Sequence, residues 1–349
     1  MVDRQRLSVQ AVGMVSAVGV TAESSCAAIR ARISRYSEIA FHDSEGEAIV
    51  GAPAPEATGG RFGIPRIIAM LEGAFRDCVE SYQRRWSTRH NPVSVIIAVG
   101  DSSRPDYNSD VANRAIAALH DRWPWLAMES SGVLSHGKTG IFDALSAARD
   151  LVRDRDCIIL AADSLINARA LRWLEEHRRL KTESNSDGVI PGEAAAALWV
   201  ASAHEGRPSL AHIDGIGFAS EPSANDPTRA NTALGLAEAL RGALADSGLS
   251  FRDIDFRVGG MTGERWEFME ASVAFSRVMR ERKSRFDLWL PAEMLGDVGT
   301  ALGACMLATT AYGFIKRYAP GKRAVVFQSS TSAHRAACII SADCAHPDV

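Results

Sequence analysis

The chain repeats one order of helices and strands in its two halves, and this repeat restricts the fold more than any other feature. In the first half, apolar residues at helical spacing predict a helix over 67–82, and a strand of buried type follows at 93–99. In the second half, a leucine stripe predicts a helix over 236–248, and a strand follows at 255–258. The same order of elements in both halves indicates an internal duplication.

The repeat continues beyond these strands. The matching segments are a helix at 140–152 and at 299–316, a strand at 157–162 and at 324–328, and a further apolar run at 194–200 and at 336–340. Helices that alternate with continuous apolar strands imply sheets covered on both faces, hence a layered α/β architecture. The sequence becomes polar near 203–208, so we predict two domains, 1–205 and 206–349.

Composition removes several classes of function. The net charge of −3 offers no broad basic surface for neutralising phosphates, so nucleic acid is not an expected partner. No apolar run reaches the about 18 residues that a membrane span needs, and the N-terminal residues lack a signal-peptide pattern, so we expect a cytoplasmic protein. The six cysteines form no CxxC pair and the nine histidines form no HExxH pair. We therefore predict neither a metal site nor a cofactor.

Four motifs, in a fixed order, resemble the β-ketoacyl synthase branch of the thiolase superfamily. The opening VGMVSAVGVTAESSCAAIRARIS is similar to that family's first strand, glycine-rich turn and first helix. DGVIPGEAAAALWV at 187–200 resembles its Asp-Gly-x-x-x-Gly-Glu segment, and ADSLINARALRWLEEHRRL resembles the segment before it. EMLGDVGTALGACM resembles the stretch that carries the second active-site histidine. The resemblance implies a thiolase-like α/β fold of two pseudo-duplicated halves, layered α-β-α-β-α, and a dimer that pairs through central strands.

The same resemblance shows which reactive side chains are missing. The family uses a cysteine thiolate to accept the acyl chain, and two histidines to assist decarboxylation and hold the enolate oxygen. Matching the small residues that follow this cysteine to SGVLSHGKTG at 131–140 places Gly137 at the nucleophile. The first histidine falls at Gly260, the active-site lysine at Ala292 and the second histidine at Asp297. These four vestigial positions predict a protein without condensing activity and without a catalytic residue.

A chain that keeps this fold without its reacting side chains is predicted to act through other proteins. By family analogy it is a partner, adaptor or scaffold subunit. Its partner would be a synthase-like subunit, as for chain-length factors, a carrier protein, or a secretion-associated protein. A homodimer and a heterodimer both fit. The loop 328–335, QSSTSAHR, replaces the family's Gly-Phe-Gly-Gly-type loop, so the resemblance does not extend to that loop's gating phenylalanine.

Two other hypotheses apply to the segment before the helix at 140. Ser135 beside His136 would give an acyltransferase or hydrolase with a relocated nucleophile, since a serine needs an adjacent base. Neighbours in an extended segment point to opposite faces, which makes this pair a poor one. Residues 132–139 also fit the P-loop pattern GxxxxGK[ST], in which Lys138 would bind phosphates of a nucleotide.

Structural roles are the alternative for the same residues. Ser135 would belong to a polar turn, and Lys138 would be a solvated or helix-capping cation. Asp297 follows a glycine and precedes a helix, so a capping role is also open. Residues 171–180 predict a helix with a solvated charged face that includes Arg179.

Overall fold

The computed structural model describes residues 6–86, 92–127, 131–203, 207–224 and 229–343. The elements of the first half are β1 (Leu7–Ser16), α1 (Ala22–Arg30), β2 (Ser37–His42), β3 (Ala48–Gly51), α2 (Pro55–Thr58), α3 (Gly63–Arg85), β4 (Ser94–Ala98), α4 (Asp110–Arg122), β5 (Gly132–Leu134), α5 (Gly140–Leu151), β6 (Cys157–Ser164), α6 (Ala168–Glu176) and β7 (Glu193–Ser202). Those of the second half are β8 (Ala211–Ser220), α7 (Leu234–Ser247), β9 (Phe256–Gly259), α8 (Arg265–Val278), β10 (Leu288–Trp289), α9 (Ala292–Leu295), α10 (Ala301–Ile315), β11 (Arg323–Ser329) and β12 (His334–Ala342).

The two halves have the same strand topology. Their spatial orders are β1-β7-β6-β4-β5 and β8-β12-β11-β9-β10, which is the order first, fifth, fourth, second, third in each half. The fifth strand is antiparallel to the first and the fourth, and the second is parallel to the fourth and the third. In the first strand of each half, a glycine lets an outer helix approach closely. A Cβ atom at Gly13 in β1 would lie 2.1 Å from the Ala74 carbonyl of α3, and one at Gly217 in β8 would lie 2.1 Å from the Ala239 carbonyl of α7. The predicted pseudo-duplication is confirmed.

Three helix layers cover the two five-stranded halves. Helices α3 and α4 pack on the outer face of the first half, and α7 and α8 pack on the outer face of the second. Helices α5 and α10 lie between the halves. Successive side chains of β6 point to opposite faces of the sheet. Ile159 packs in the central layer, while Ile158 and Leu160 pack under α3. This is the predicted α-β-α-β-α arrangement.

The halves are joined through their first strands. Residues Leu7, Ser8 and Val9 of β1 pair antiparallel with Ile213, His212 and Ala211 of β8, which makes the ten strands one continuous sheet. Strand β7 ends at Ser202 and β8 begins at Ala211. The predicted boundary between 205 and 206 stays a prediction, since residues 204–206 lie outside the described residues. No helix in the described part of the chain is long and apolar enough to cross a bilayer.

The helix expected over 171–180 is displaced toward the N-terminus. It is α6, Ala168–Glu176, and it begins where Asn167 accepts a hydrogen bond from the Ala170 N–H at 2.9 Å. The chain leaves the helix after Glu176, and Arg178 has a φ of 54°. Arg179 is therefore outside the helix, and its side chain turns toward the interior, as described below.

Candidate functional site

The segment that the family resemblance assigned to the nucleophile lies between the halves, where α5 begins. After β5, Gly137–Thr139 form one 3₁₀ turn, and α5 starts at Gly140. Gly137 is buried and has a φ of +63°, a conformation that favours glycine. A Cβ atom at this position would lie 2.6 Å from Asp101 Oδ2. A side chain at Gly137 would be strained by this φ and would have to displace the Asp101 carboxylate.

Lys138, the next residue, points into the interior. Its Nζ atom lies 2.9 Å from Asp297 Oδ2 and 3.4 Å from Glu267 Oε1, and it donates a hydrogen bond to Thr262 Oγ1 at 2.9 Å. Only 11% of the Lys138 side chain is exposed. The interpretation of Lys138 as a solvated or helix-capping cation is wrong, because its ammonium is the centre of a buried ion cluster drawn from both halves.

The electrostatics of this cluster fix two of its charges at neutral pH. Burial alone would lower the pKa of the Lys138 ammonium, but the Asp297 and Glu267 carboxylates outweigh burial and raise this pKa above its ordinary value. Burial alone would raise the pKa of Asp297, but Lys138 and Arg179 outweigh it and lower this pKa. Burial does raise the pKa of Glu267, against the effect of Lys138 and the Thr262 N–H. Lys138 and Asp297 are therefore a charged pair.

A second ion pair extends the cluster toward α6. Arg179 binds Glu264 with both ends of its guanidinium, Nε to Oε1 at 2.8 Å and Nη2 to Oε2 at 2.6 Å. Its side chain is 13% exposed, so the prediction of a solvated Arg179 is wrong. The Thr262 N–H donates a hydrogen bond to Glu267 Oε2 at 2.6 Å. Glu264 and Glu267 both lie at the start of α8. We call Lys138, Asp297, Glu267, Arg179 and Glu264 the Lys138 cluster; in it three carboxylates face two cations.

The space beside the Lys138 cluster is small. The cavity there has a volume of about 50 Å³, and its walls include Gly137, Lys138, Arg179 and Asp297. A water molecule takes about 30 Å³ of liquid volume, whereas pockets for small ligands are about 300–1,000 Å³. The cavity has room for water and not for an acyl thioester.

Gly260 follows β9, and its surroundings are filled by Gln328. A Cβ atom at Gly260 would lie 2.7 Å from Gln328 Cγ. Gln328 is fully buried, and its amide oxygen and nitrogen have no hydrogen-bond partner among the described residues. A larger side chain at Gly260 would have to displace the Gln328 side chain, which occupies the space beside it.

Asp297 and Ala292 have different roles. Asp297 is buried, and besides Lys138 its Oδ1 accepts the Gly299 N–H at 2.9 Å. The N-cap of α10 is Thr300, whose hydroxyl donates to the Val99 carbonyl, so Asp297 is not the helix cap. Ala292 begins α9 and is buried in the central hydrophobic core. Within the described residues, Ala292 belongs to this apolar core and not to the Lys138 cluster.

Ser135 and His136 do not form a nucleophile and base pair. His136 Nδ1 lies 3.0 Å from Asp143 Oδ2 on α5, and the His136 side chain is 57% exposed. Ser135 is half-buried, and its carbonyl accepts the Ser102 N–H at 3.2 Å. No hydrogen bond joins the Ser135 hydroxyl to His136 within the described ranges. The expectation that these two side chains point to opposite faces stays a prediction.

The P-loop pattern also folds differently from a phosphate-binding loop. Gly132–Leu134 are used as β5, which pairs with β4, so only two residues separate the strand from the 3₁₀ turn. A P-loop lysine reaches phosphate oxygens, whereas the Lys138 ammonium is already bound by Asp297 and Glu267. In the part of the chain that the structure describes, no group of three or more His, Cys, Asp or Glu residues could hold a metal ion.

The Asp-Gly-x-x-x-Gly-Glu segment supports the cluster from outside. Glu193 is buried, and it accepts hydrogen bonds from Arg66 Nε at 2.6 Å, from the Ala54 N–H at 2.7 Å and from the Ser164 hydroxyl at 2.9 Å. Asp187 Oδ1 accepts the Arg265 N–H at 2.7 Å, at the start of α8. Glu193 thus binds groups of the first half, and Asp187 ties the motif to the turn that holds Glu264 and Glu267.

The loop 328–335 is fixed by a further buried ion pair. Arg335 Nε lies 2.9 Å from both carboxylate oxygens of Glu270 on α8, and the two side chains are 2% and 0% exposed. Arg335 Nη1 also donates to the carbonyls of Ser330, Ser332 and His334. These bonds hold the turn between β11 and β12 against α8.

Solved structures with the same architecture decide the fold. A type II polyketide synthase acyl-carrier protein in complex with its ketosynthase matches with a TM-score of 0.78, 16% identity, and 98% of this chain and 100% of that chain covered. The chain has the thiolase-like fold of the ketosynthases. A ketosynthase in complex with its chain length factor from Xenorhabdus doucetiae matches with a TM-score of 0.71, 13% identity, and coverages of 98% and 99%. A β-ketoacyl synthase from Burkholderia phymatum matches with a TM-score of 0.73, 16% identity, and coverages of 97% and 100%.

Comparison of the sequence with protein families and curated proteins does not narrow the assignment beyond this fold. No protein family model matches the chain, and no curated protein matches it. At 13–16% identity the structural likeness establishes the fold and leaves the activity to be argued from the site. The chemistry that this chain can perform therefore depends on the Lys138 cluster and its neighbours.

Proposed function

We propose that this protein is a ketosynthase-like subunit without condensing activity, which acts as a partner, adaptor or scaffold for other proteins. The observation that carries the proposal is the Lys138 cluster, which contains the vestigial position Asp297 and lies beside a second one, Gly137. An ammonium bonded to two carboxylates has no free lone pair and is not a nucleophile. Gly137 has no reacting atom, and the adjacent cavity of about 50 Å³ does not admit an acyl thioester.

The described cysteines support the same proposal. Cys26, Cys78, Cys157, Cys305 and Cys338 are all buried. Burial raises the pKa of the Cys26 and Cys157 thiols to about 12, and it also raises the pKa of the other three. A thiol must lose its proton to attack a thioester. None of these five is suited to replace the missing nucleophile at neutral pH.

The proposed partner is an active ketosynthase, by analogy with the ketosynthase and chain length factor complexes among the structural relatives. The proposal includes pairing through the central strands, as a heterodimer or a homodimer, in the cytoplasm, and a division of the chain at 205/206. No observation favours a relocated nucleophile at Ser135 or a nucleotide site at Lys138 as a second function.

Coexpression tests this pairing. The tagged chain is coexpressed with each ketosynthase from its own genome, and complexes are isolated by affinity and size-exclusion chromatography. We expect one ketosynthase to co-elute in a fixed ratio and to condense substrates faster in the complex than alone. A chain that elutes without any ketosynthase, in every combination, would refute the proposed partnership.

A further inference from the structure

A larger cavity lies where the last turn of α1 meets β10, α9 and α10. Its volume is about 340 Å³, which falls within the range of about 300–1,000 Å³ that is typical of pockets for small ligands. Thr309 of α10 lines this cavity, whereas Thr300, at the start of the same helix, lines the cavity beside the Lys138 cluster. The two threonines are separated by about 13.5 Å of helix, at about 1.5 Å per residue. We call the larger space the Trp289 cavity, and it is a separate place from the cleft.

The Trp289 indole forms a flat wall that is held in one orientation. A Cβ atom at Gly313 would lie 2.8 Å from Trp289 Cη2, so the indole packs directly on the backbone of α10. Its ring centre lies 4.9 Å from that of Phe256 and 5.8 Å from that of Tyr318, and the planes of the last two rings to meet, Trp289 and Tyr318, differ by 29°. The remaining apolar lining consists of Ile29, Leu288, Leu290, Pro291 and Met294. The apolar surface is therefore formed before any ligand arrives.

One uncompensated positive charge stands at this wall. Three charged side chains line the cavity, and two of them neutralise each other, because Arg32 Nη2 lies 2.8 Å from Glu293 Oε2. The third, Arg30, forms no ion pair with a described residue, and its guanidinium lies 4.4 Å from the centre of the Tyr318 ring. A guanidinium stacked on a ring keeps its N–H groups at its edge, where they can bind a carboxylate with two parallel hydrogen bonds.

We propose that the Trp289 cavity binds an aromatic monocarboxylate. The ring of the ligand would pack on the Trp289 indole and the apolar residues around it, and its carboxylate would pair with Arg30. A flat indole suits a planar ring, and a rigid ring loses less conformational freedom on binding than an alkyl chain does. A second negative group would be repelled by Glu293, which favours a single carboxylate. This inference goes beyond the proposed function, because it assigns a ligand to a site that the Lys138 cluster and a partner do not share.

Calorimetric titration of the full chain with β-naphthoate tests this inference. We expect Arg30→Met to weaken binding about tenfold or more, because the carboxylate loses its cation, and Arg30→Lys to restore part of the affinity. Arg30 is exposed and pairs with no carboxylate among the described residues, so the variant should keep its fold. The matched control, Arg172→Met, makes the same charge change at an exposed arginine on α6 and should leave affinity within about twofold.

Two further probes separate the contributions of ring and charge. β-Naphthol has the same ring without the carboxylate, so it should bind more weakly than β-naphthoate and equally to the wild type and to Arg30→Met. Octanoate has the carboxylate without the ring, and it should also bind more weakly. Absence of binding of β-naphthoate up to its solubility limit, an unchanged affinity in Arg30→Met, an equal loss for β-naphthol, or octanoate binding as tightly as β-naphthoate would each overturn the inference.

Discussion

Replacing Lys138 by methionine is expected to lower the free energy of unfolding by about 3–5 kcal/mol, because two buried carboxylates lose their cation. The matched control is Lys316→Met. Lys316 is half exposed and lies 3.1 Å from Glu23, and loss of such a surface pair costs about 0–1 kcal/mol. Urea denaturation of both variants measures the difference. Equal stability of the two variants would contradict a structural role for the Lys138 cluster.

The pH dependence of Lys138→Met has a predicted sign. In the wild type the raised pKa of Lys138 gives stability that is present below about pH 10 and is lost as pH rises through the folded pKa. The lowered pKa of Asp297 gives stability that is present above about pH 4 and is lost as pH falls through the folded pKa. Without Lys138, Glu267, whose pKa burial already raises, binds its proton more tightly still in the folded state, and Asp297 loses the largest cause that lowers its pKa. The variant should therefore gain stability from pH 8 to pH 5, and Asp297→Asn with Glu267→Gln should restore part of the loss.

Replacing Arg335 by methionine is expected to have an effect of similar size, about 3–5 kcal/mol, since Glu270 would be left buried without a counter-ion. The loss should be concentrated in the loop 328–335, because Arg335 holds three of its carbonyls. Hydrogen exchange should show faster exchange in that loop and in the first turns of α8 than in α7.

Arg285→Met is the control for Arg335. Arg285 forms an ion pair with Asp287 at 2.7 Å, but its side chain is 78% exposed, so its removal should change stability by less than about 1 kcal/mol. If Arg335→Met exchanged and unfolded like Arg285→Met, the loop would be held by other contacts.

Long periodic elements were predictable from the sequence, and short edge strands were not. The apolar stripe of α3 and the continuous apolar runs of β6 and β11 can be recognised from the sequence. A long helix or strand repeats its buried positions at a regular spacing along the chain. Strands β5 and β10 have three and two residues, too few to show a period of two. They are strands because they pair with β4 and β9 at the two edges of the sheet, and no pattern in their own sequences shows this.

The candidate site was predictable by position but not by chemistry. The family resemblance placed Gly137 and Asp297 in regions that the fold brings together. Lys138 and Arg179 were expected to be solvated because their local sequences are polar. Their acidic partners, Asp297, Glu267 and Glu264, lie in the other half of the chain, and local patterns carry no information about such contacts. Glu264 and Glu267 were not predicted at all.

Intact-mass analysis of the purified protein after incubation with an acyl thioester tests the central claim most directly. The claim is that the cleft between the halves contains charges that stabilise the fold and no group that accepts an acyl chain. We predict an unchanged mass for the wild type, under conditions in which an active ketosynthase is acylated completely. A stoichiometric adduct that maps to the cleft, and that Ser135→Ala abolishes, would contradict the account.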